Sequence, residues 1–236
     1  GICQSVAMPV AYIVLALIFT LELYNASTRI DGAGGGATFG AEIVFKTMIK
    51  FVLCKLAVDM TPQILGAIFE LSSNIIGNIS GGAPGTSVAA DLDALRASIS
   101  GLNGIFPKLF LCLQVTIIWI VFKFSSMLIT VVVIGRMVEI YIYTANAAVP
   151  IATLGGGDLG MIGKNFLKSF AAVCVQGVLI YIAMSMFGTL AVSIPSGGLA
   201  GGDVTGVLFQ CLLYSLVLVM AVFSSGRLAK SICNAM

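Results

Sequence analysis

A single lysine interrupts an otherwise almost entirely apolar run of the chain. Lys123 is preceded by the apolar stretch from Leu109 to Phe122 and followed by the stretch from Phe124 to Gly135. About 20 apolar residues suffice to cross a bilayer. A charge inside such a span is costly, so it usually faces a bundle interior, a water-filled path or a partner. We therefore predict a polytopic membrane protein whose function depends on groups inside the membrane.

The composition supports this prediction and excludes several classes of protein. Of the 236 residues, 59% are hydrophobic and 9% are charged, whereas soluble domains carry roughly 25% charged residues. Most of the surface must therefore face lipid. The net charge of +2 provides no basic field for nucleic acid. Histidine is absent, which excludes Ser-His-Asp catalysis and His-containing metal sites, so we expect neither an enzyme nor a cofactor.

The hydropathy pattern predicts an all-α fold with about four to six membrane spans. We divide the chain into an N-terminal membrane region (1–80), an extracytoplasmic loop or short helical hairpin (81–104) and a C-terminal membrane region (105–236). The last region begins with a long stretch that is either one helix or a span with an interfacial extension. The clearest span candidates are Val6–Tyr24, Ile105–Val149, Phe166–Val192 and Val204–Phe223.

Polar residues recur along one face of the long central stretch. Thr116, Lys123, Ser126 and Thr130 follow each other at steps of seven, three and four residues, which places them together on a helix. A polar face inside a membrane usually contacts other helices rather than lipid. We therefore expect this face to contact other helices.

A charged stripe lies in a segment that precedes the long central stretch. Glu42, Lys46 and Lys50 are spaced by four residues within the segment from Ala41 to Val58, so they share one helix face. Two interpretations remain open. The segment is either an amphipathic helix on the membrane surface, or a span whose stripe lines a conduit or faces another subunit.

The next segment is weakly apolar and carries an acid. Asp59 to Pro62 forms a break, after which residues 63–79 contain Glu70. This segment is compatible with a hairpin against the preceding helix, or with an amphipathic or re-entrant helix. Glu70 would then be the natural partner of one of the lysines in the preceding segment, Lys46, Lys50 or Lys55.

The region from Ser80 to Gly104 resembles a soluble segment. Its apolar residues repeat at alternating spacings of four and three, which predicts a seam for another helix. The partner is either the same chain or a neighbouring copy or component above the membrane. The seam consists of Val88, Leu92, Leu95, Ile99 and Leu102.

Basic residues predict the orientation of the C-terminal region. Lys164 and Lys168 precede one span, and Arg227 and Lys230 follow the next, whereas the turn at 193–203 contains neither residue type. Because basic residues concentrate in cytoplasmic loops, the C-terminus and the glycine-rich loop at 150–165 are expected in the cytoplasm. That loop lacks the Gly-Lys-Ser/Thr of a nucleotide-binding loop.

Several motifs in this region carry a family resemblance. They are Arg136–Tyr141, which includes the pairing candidates Arg136 and Glu139, then Pro150–Leu154, Gly155–Asp158, Ile162–Asn165 and Phe170–Gly177. With them the chain resembles the TrbL-like conjugal transfer proteins, also called VirB-six-like, which are polytopic inner-membrane subunits of type IV secretion systems. The resemblance covers roughly Leu109 to Met236.

The resemblance implies a non-enzymatic platform or channel component of the bacterial inner membrane. Its partners would be lipid, further copies in a ring, cytoplasmic ATPases and an extracytoplasmic pilus or conduit component, with DNA only as a transported substrate. Lys123 and the Glu42 stripe would face neighbours or a lumen, and the seam would meet the next component. Arg136, Glu139 and the Gly155–Gly163 loop would face the ATPases.

The main alternative function is a small-molecule or ion transporter. Its candidate coupling acids would be Glu42 and Glu70. Transporters commonly contain internal repeats, and the two halves of this chain show no convincing repeat.

Overall fold

The fold is helical throughout the residues that the structure, a computed structural model, describes: 7–32, 37–82, 105–157, 159–198 and 204–235. The helices in these ranges are α1 (Met8–Gly32), α2 (Ala37–Asp59), α3 (Thr61–Gly82), α4 (Ile105–Asn146), α5 (Ala148–Ala152), α6 (Gly160–Gly198) and α7 (Val204–Ile232), with a 3-10 turn at Thr153–Gly155. The predicted all-α class is confirmed. The seam residues 88–102 lie outside the described ranges.

Four segments are long and apolar enough to cross a membrane. They are Met8–Thr28, Lys108–Asn146, Gly160–Leu190 and Phe209–Ile232. The polytopic character predicted from hydropathy is therefore confirmed, and the number of these segments agrees with the lower end of the expected span count.

Helix α4 resolves the alternatives for the long central stretch. It is one helix of 42 residues, which corresponds to about 63 Å at 1.5 Å per residue. That is about twice the thickness of the hydrocarbon core of a bilayer. The helix therefore extends beyond the membrane on at least one side, or is strongly tilted.

The junction between α2 and α3 differs from the expected hairpin. Met60 alone separates the two helices, and a hairpin of two helices needs a loop of about 2–5 residues. Instead, the Met60 N–H donates to Leu56 O at 2.9 Å and the Ile64 N–H donates to Met60 O at 3.0 Å. Helical hydrogen bonding thus continues across the break that Pro62 produces.

The predicted glycine-rich loop is shorter than expected. Pro150 lies within α5, and α6 already begins at Gly160, so the irregular segment is confined to a few residues. Gly163 lies inside α6, where an added Cβ would come within 2.7 Å of both Pro150 O and Leu154 Cγ. The glycine is required here because the segment from α5 passes directly against this helix.

The chain forms two compact units. Among the described residues, unit 1 comprises 7–71, 137–174 and 230–235, and unit 2 comprises 72–136 and 175–229. The core of unit 1 is rich in small side chains, which allow helices to approach closely where lipid and protein are equally apolar. It contains Ala7, Ala11, Leu15, Cys54, Val58, Leu65, Ala147, Ala148, Ile151, Ala152, Phe170 and Cys174.

Candidate functional site

Helices α1 and α2 pack antiparallel in unit 1. The Tyr12 hydroxyl donates to Asp59 Oδ1 at 2.6 Å, and the rings of Phe19 and Phe51 lie 4.3 Å apart. Further along α1, Glu22 lines the same small pocket as Lys50. Residue numbers therefore rise along α1 as they fall along α2, so the two helices run side by side from Tyr12 to Glu22.

The charged stripe of α2 lies on the surface of unit 1, and its Lys50 borders the small pocket that also contains Glu22 of α1. Glu42, Lys46 and Lys50 are all exposed, whereas Cys54 and Val58 of the same helix are buried in the core. Within the described part of the chain, none of the three stripe residues forms an ion pair. The stripe is therefore free to interact with groups outside the protomer.

The predicted pairing of Glu70 with a lysine of α2 does not occur in the described structure. Lys55 instead pairs with Asp59, one helical turn away, with 3.2 Å between Nζ and Oδ2. Glu70 is exposed on α3 and forms no ion pair with Lys46 or Lys50 there.

The segment between α5 and α6 is held against the first two helices by hydrogen bonds. Glu22 of α1 accepts a hydrogen bond from the Gly157 N–H. The Cys54 thiol donates to the carbonyls of Ile151 and Ala152 at 3.8 and 3.4 Å. Non-helical backbone packed on membrane helices needs such partners. Nothing in the sequence indicated the contact of Glu22.

Unit 2 contains a buried polar contact between two membrane helices. Gln176 of α6 and Ser225 of α7 are 3% and 2% exposed, and the Gln176 amide donates to the Ser225 hydroxyl at 3.1 Å. An added Cβ at Gly226 would lie 3.2 Å from Gln176 Nε2 and 3.4 Å from Arg136 Nη2. Gly226 thus admits both polar side chains to the space beside α7. Arg136 was predicted as a site residue, whereas Gln176 and Ser225 were not.

Lys123 lies on the outer surface of unit 2. Its side chain is exposed, and its Nζ lies 5.6 Å from the centroid of the Trp119 ring, within the range of a cation–π interaction. The neighbouring hydroxyls of Thr116 and Thr130 donate to carbonyls of their own helix, at 2.8 and 2.9 Å. Within the described part of unit 2, this polar face is therefore exposed and its threonine hydroxyls bond within their own helix.

Of the remaining predicted site residues, Arg136 belongs to the cluster beside Gly226. Arg136 and Glu139 are both half-buried on α4. In the described ranges, no group of histidine, cysteine and acidic side chains is arranged to hold a metal ion. Glu42, Lys46 and Lys50 are exposed on α2 in unit 1, and Lys123 is exposed on α4 in unit 2.

The comparison with protein families matches a large part of the chain. The family described as TrbL/VirB6 plasmid conjugal transfer like protein matches residues 1–148, which include α1 to α4. This range overlaps the resemblance expected over 109–236 only at 109–148, so the N-terminal half carries more of the likeness than the sequence motifs indicated. No curated protein and no solved structure matches. Because the match covers more than half of the 236 residues, the chain belongs to the TrbL/VirB6 family of conjugal transfer proteins.

Proposed function

We propose that this protein is a structural membrane platform of a conjugative type IV secretion system and that it works as an assembly of several copies. It performs no catalysis of its own. Its partners are cytoplasmic ATPases and an extracytoplasmic conduit component, and DNA and proteins are its transported cargo. Membership of the TrbL/VirB6 family supports the role in conjugal transfer. The basic residues Arg227 and Lys230 at the end of the last span support a cytoplasmic C-terminus.

The observation that supports a multi-copy assembly is the exposure of Lys123 on α4. Apolar side chains are exposed on both sides of it, including Ile120 before and Phe124 and Met127 after. If these side chains contact lipid, Lys123 lies in the hydrocarbon, which costs about 2.5–3.5 kcal/mol on insertion scales. If Lys123 instead lies at the membrane surface, one of the apolar flanks faces water.

Both placements leave an unfavourable surface on an isolated protomer. A neighbouring protein surface removes the difficulty in either case, because it provides a polar partner for the ammonium group and covers the apolar side chains. This surface is therefore the best candidate in unit 2 for a contact between copies.

The test compares two lysines on the same helix. We expect Lys123→Leu to reduce the fraction of multi-copy particles after gentle extraction, as measured by native mass or by light scattering. Lys108→Leu is the matched control, because Lys108 lies within the first turn of α4, where a lysine reaches the membrane surface easily. If Lys123→Leu leaves the fraction of multi-copy particles unchanged, the surface around Lys123 is not a contact between copies.

The wild-type particle tests the proposed function itself. A wild-type protein that remains a 24.5 kDa monomer without secretion partners would refute the platform. A flux assay on Glu70→Gln and Lys123→Leu variants would then test the transporter alternative.

A further inference from the structure

We infer that α2 crosses the membrane beside α1, in addition to the four segments identified by length and composition, and that its stripe of Glu42, Lys46 and Lys50 contacts a second copy of this chain. The crossing follows from the packing of unit 1 alone. The contact with a second copy rests on the proposed function, because it requires a multi-copy assembly.

The first step is the shared direction of the two helices. Tyr12 meets Asp59 at one end of the pair, Phe19 meets Phe51 in the middle, and Glu22 lies in the same pocket as Lys50. Helices that pack lengthwise in this way have the same orientation to the membrane. Either both of them cross it or both lie along its surface.

The second step is the chemistry of the exposed surface of α1. A helix that lies in the membrane surface needs a strongly polar or charged outer face. Between Met8 and Thr28, no exposed residue of α1 is charged, and its acid, Glu22, is turned inward to the Gly157 N–H. The outer face of α1 is instead apolar, with exposed Val10, Ile13, Leu17, Leu21 and Tyr24.

This face suits hydrocarbon, so α1 crosses the membrane. Because α2 is packed along it, α2 crosses as well, in the opposite direction. Much of the exposed surface of α2 is also apolar, including Phe45, Ile49 and Val52. Three of its charged residues form the stripe, and the other two, Lys55 and Asp59, pair with each other near the end of the helix. This number of charged residues explains why length and composition alone do not identify α2 as a span.

The third step concerns what covers the stripe. Glu42 and Lys46 carry opposite charges about 6 Å apart along the helix axis, yet within the described structure they do not pair with each other. Where two copies meet across a two-fold axis along the membrane normal, the stripe of one copy faces the stripe of the other at the same depth. The long side chain of Lys46 spans the rise of one helical turn to reach Glu42 of the other copy, so the stripe is complementary to itself.

The crossing is tested by labelling the two ends of α2. A cysteine is introduced by Ala37→Cys or by Met60→Cys in the full chain, and cells and inverted membrane vesicles are treated with a membrane-impermeant maleimide. Peptide mass mapping identifies the labelled position, so the native cysteines remain in place. We expect the two positions to label from opposite sides of the membrane. Labelling of both from the same side would overturn the crossing.

The contact is tested by exchange of charges. Glu42→Lys and Lys46→Glu are each expected to lower the multi-copy fraction about threefold or more, a size typical of polar contacts between membrane helices. The double variant is expected to restore the fraction, because the opposite charges are again available. Glu70→Lys makes the same charge change on an exposed acid outside the stripe, so it is the matched control.

The outcomes separate this inference from the proposed function. If the single exchanges leave the assembly intact, or if the double variant is no better than the singles, the stripe is not a contact between copies. If the wild-type protein forms no assembly at all, the proposed function fails and so does the contact. The labelling experiment decides the crossing in either case.

Discussion

The closest approach between segments of unit 1 gives the sharpest stability prediction. In Gly163→Ala, the new Cβ would lie 2.7 Å from Pro150 O and from Leu154 Cγ. Leu154 can rotate, but the Pro150 carbonyl belongs to α5, whose residues Ala148 and Ile151 are at most 1% exposed. Relieving the overlap must therefore displace packed backbone, which costs about 1–3 kcal/mol. The alanine recovers about 0.5–1 kcal/mol through its helix propensity, so we expect a net loss of about 1–2 kcal/mol.

Gly66→Ala is the matched control for this experiment. Gly66 also lies in a helix of unit 1, but an added Cβ there meets nothing within 4 Å. The same substitution should therefore stabilise the protein by about 0.5–1 kcal/mol. The measurement is thermal unfolding of both variants in one detergent. For a chain of this length, we expect Gly163→Ala to melt several degrees below Gly66→Ala, at about 2–4 °C per kcal/mol. Equal melting temperatures would show that α5 and α6 do not approach as closely as described.

Two hydrogen bonds give smaller effects that are also measurable. In a double-mutant cycle of Gln176→Leu and Ser225→Ala, we expect a coupling of about 0.6 kcal/mol in unfolding free energy, the average for such contacts in membrane proteins; strictly additive single effects would contradict the contact. Tyr12→Phe should lower the melting temperature slightly, because Asp59 loses a hydrogen-bond donor. A hydrogen bond contributes at most about 0.5–1.5 kcal/mol to the free energy of unfolding, and this one contributes less because the site is exposed. The control Tyr24→Phe should have no effect, since the hydroxyl of Tyr24 forms no hydrogen bond in the described structure, and equal effects of the two variants would contradict the Tyr12 contact.

The helices themselves could be predicted because a membrane leaves few alternatives. Backbone groups in hydrocarbon must be paired within the chain, so an apolar stretch as long as α4 has to be helical. The break at Pro62 was also predictable, because proline lacks the N–H that an internal position of a helix requires. The geometry of that break could not be predicted, because proline at the second position of a new helix is compatible with a kink as well as with a hairpin.

Which face of each helix packs against protein and which face is exposed could not be predicted. In a soluble protein, polar residues mark the outer face, but lipid and the protein interior are equally apolar, so hydrophobicity does not distinguish them. The polar face of α4 around Lys123 was expected to contact other helices, and within the described part of unit 2 it is exposed. Similarly, Gln176 was noted only within a family motif, since nothing in the sequence indicates that Ser225 lies beside it.

The distribution of charge in the described residues agrees with the assembly proposed above. A transporter needs an ionisable group in its interior that can bind and release a coupling ion. The carboxylate of Glu22 in α1 accepts a hydrogen bond from the Gly157 N–H. The buried amide of Gln176 in α6 donates to the Ser225 hydroxyl. Among the described side chains, a buried oxygen without a hydrogen-bond partner is Oε1 of Gln114, which belongs to an uncharged group. The stripe of α2 and Lys123 instead carry their charges on exposed helix surfaces, where a neighbouring copy can pair with them.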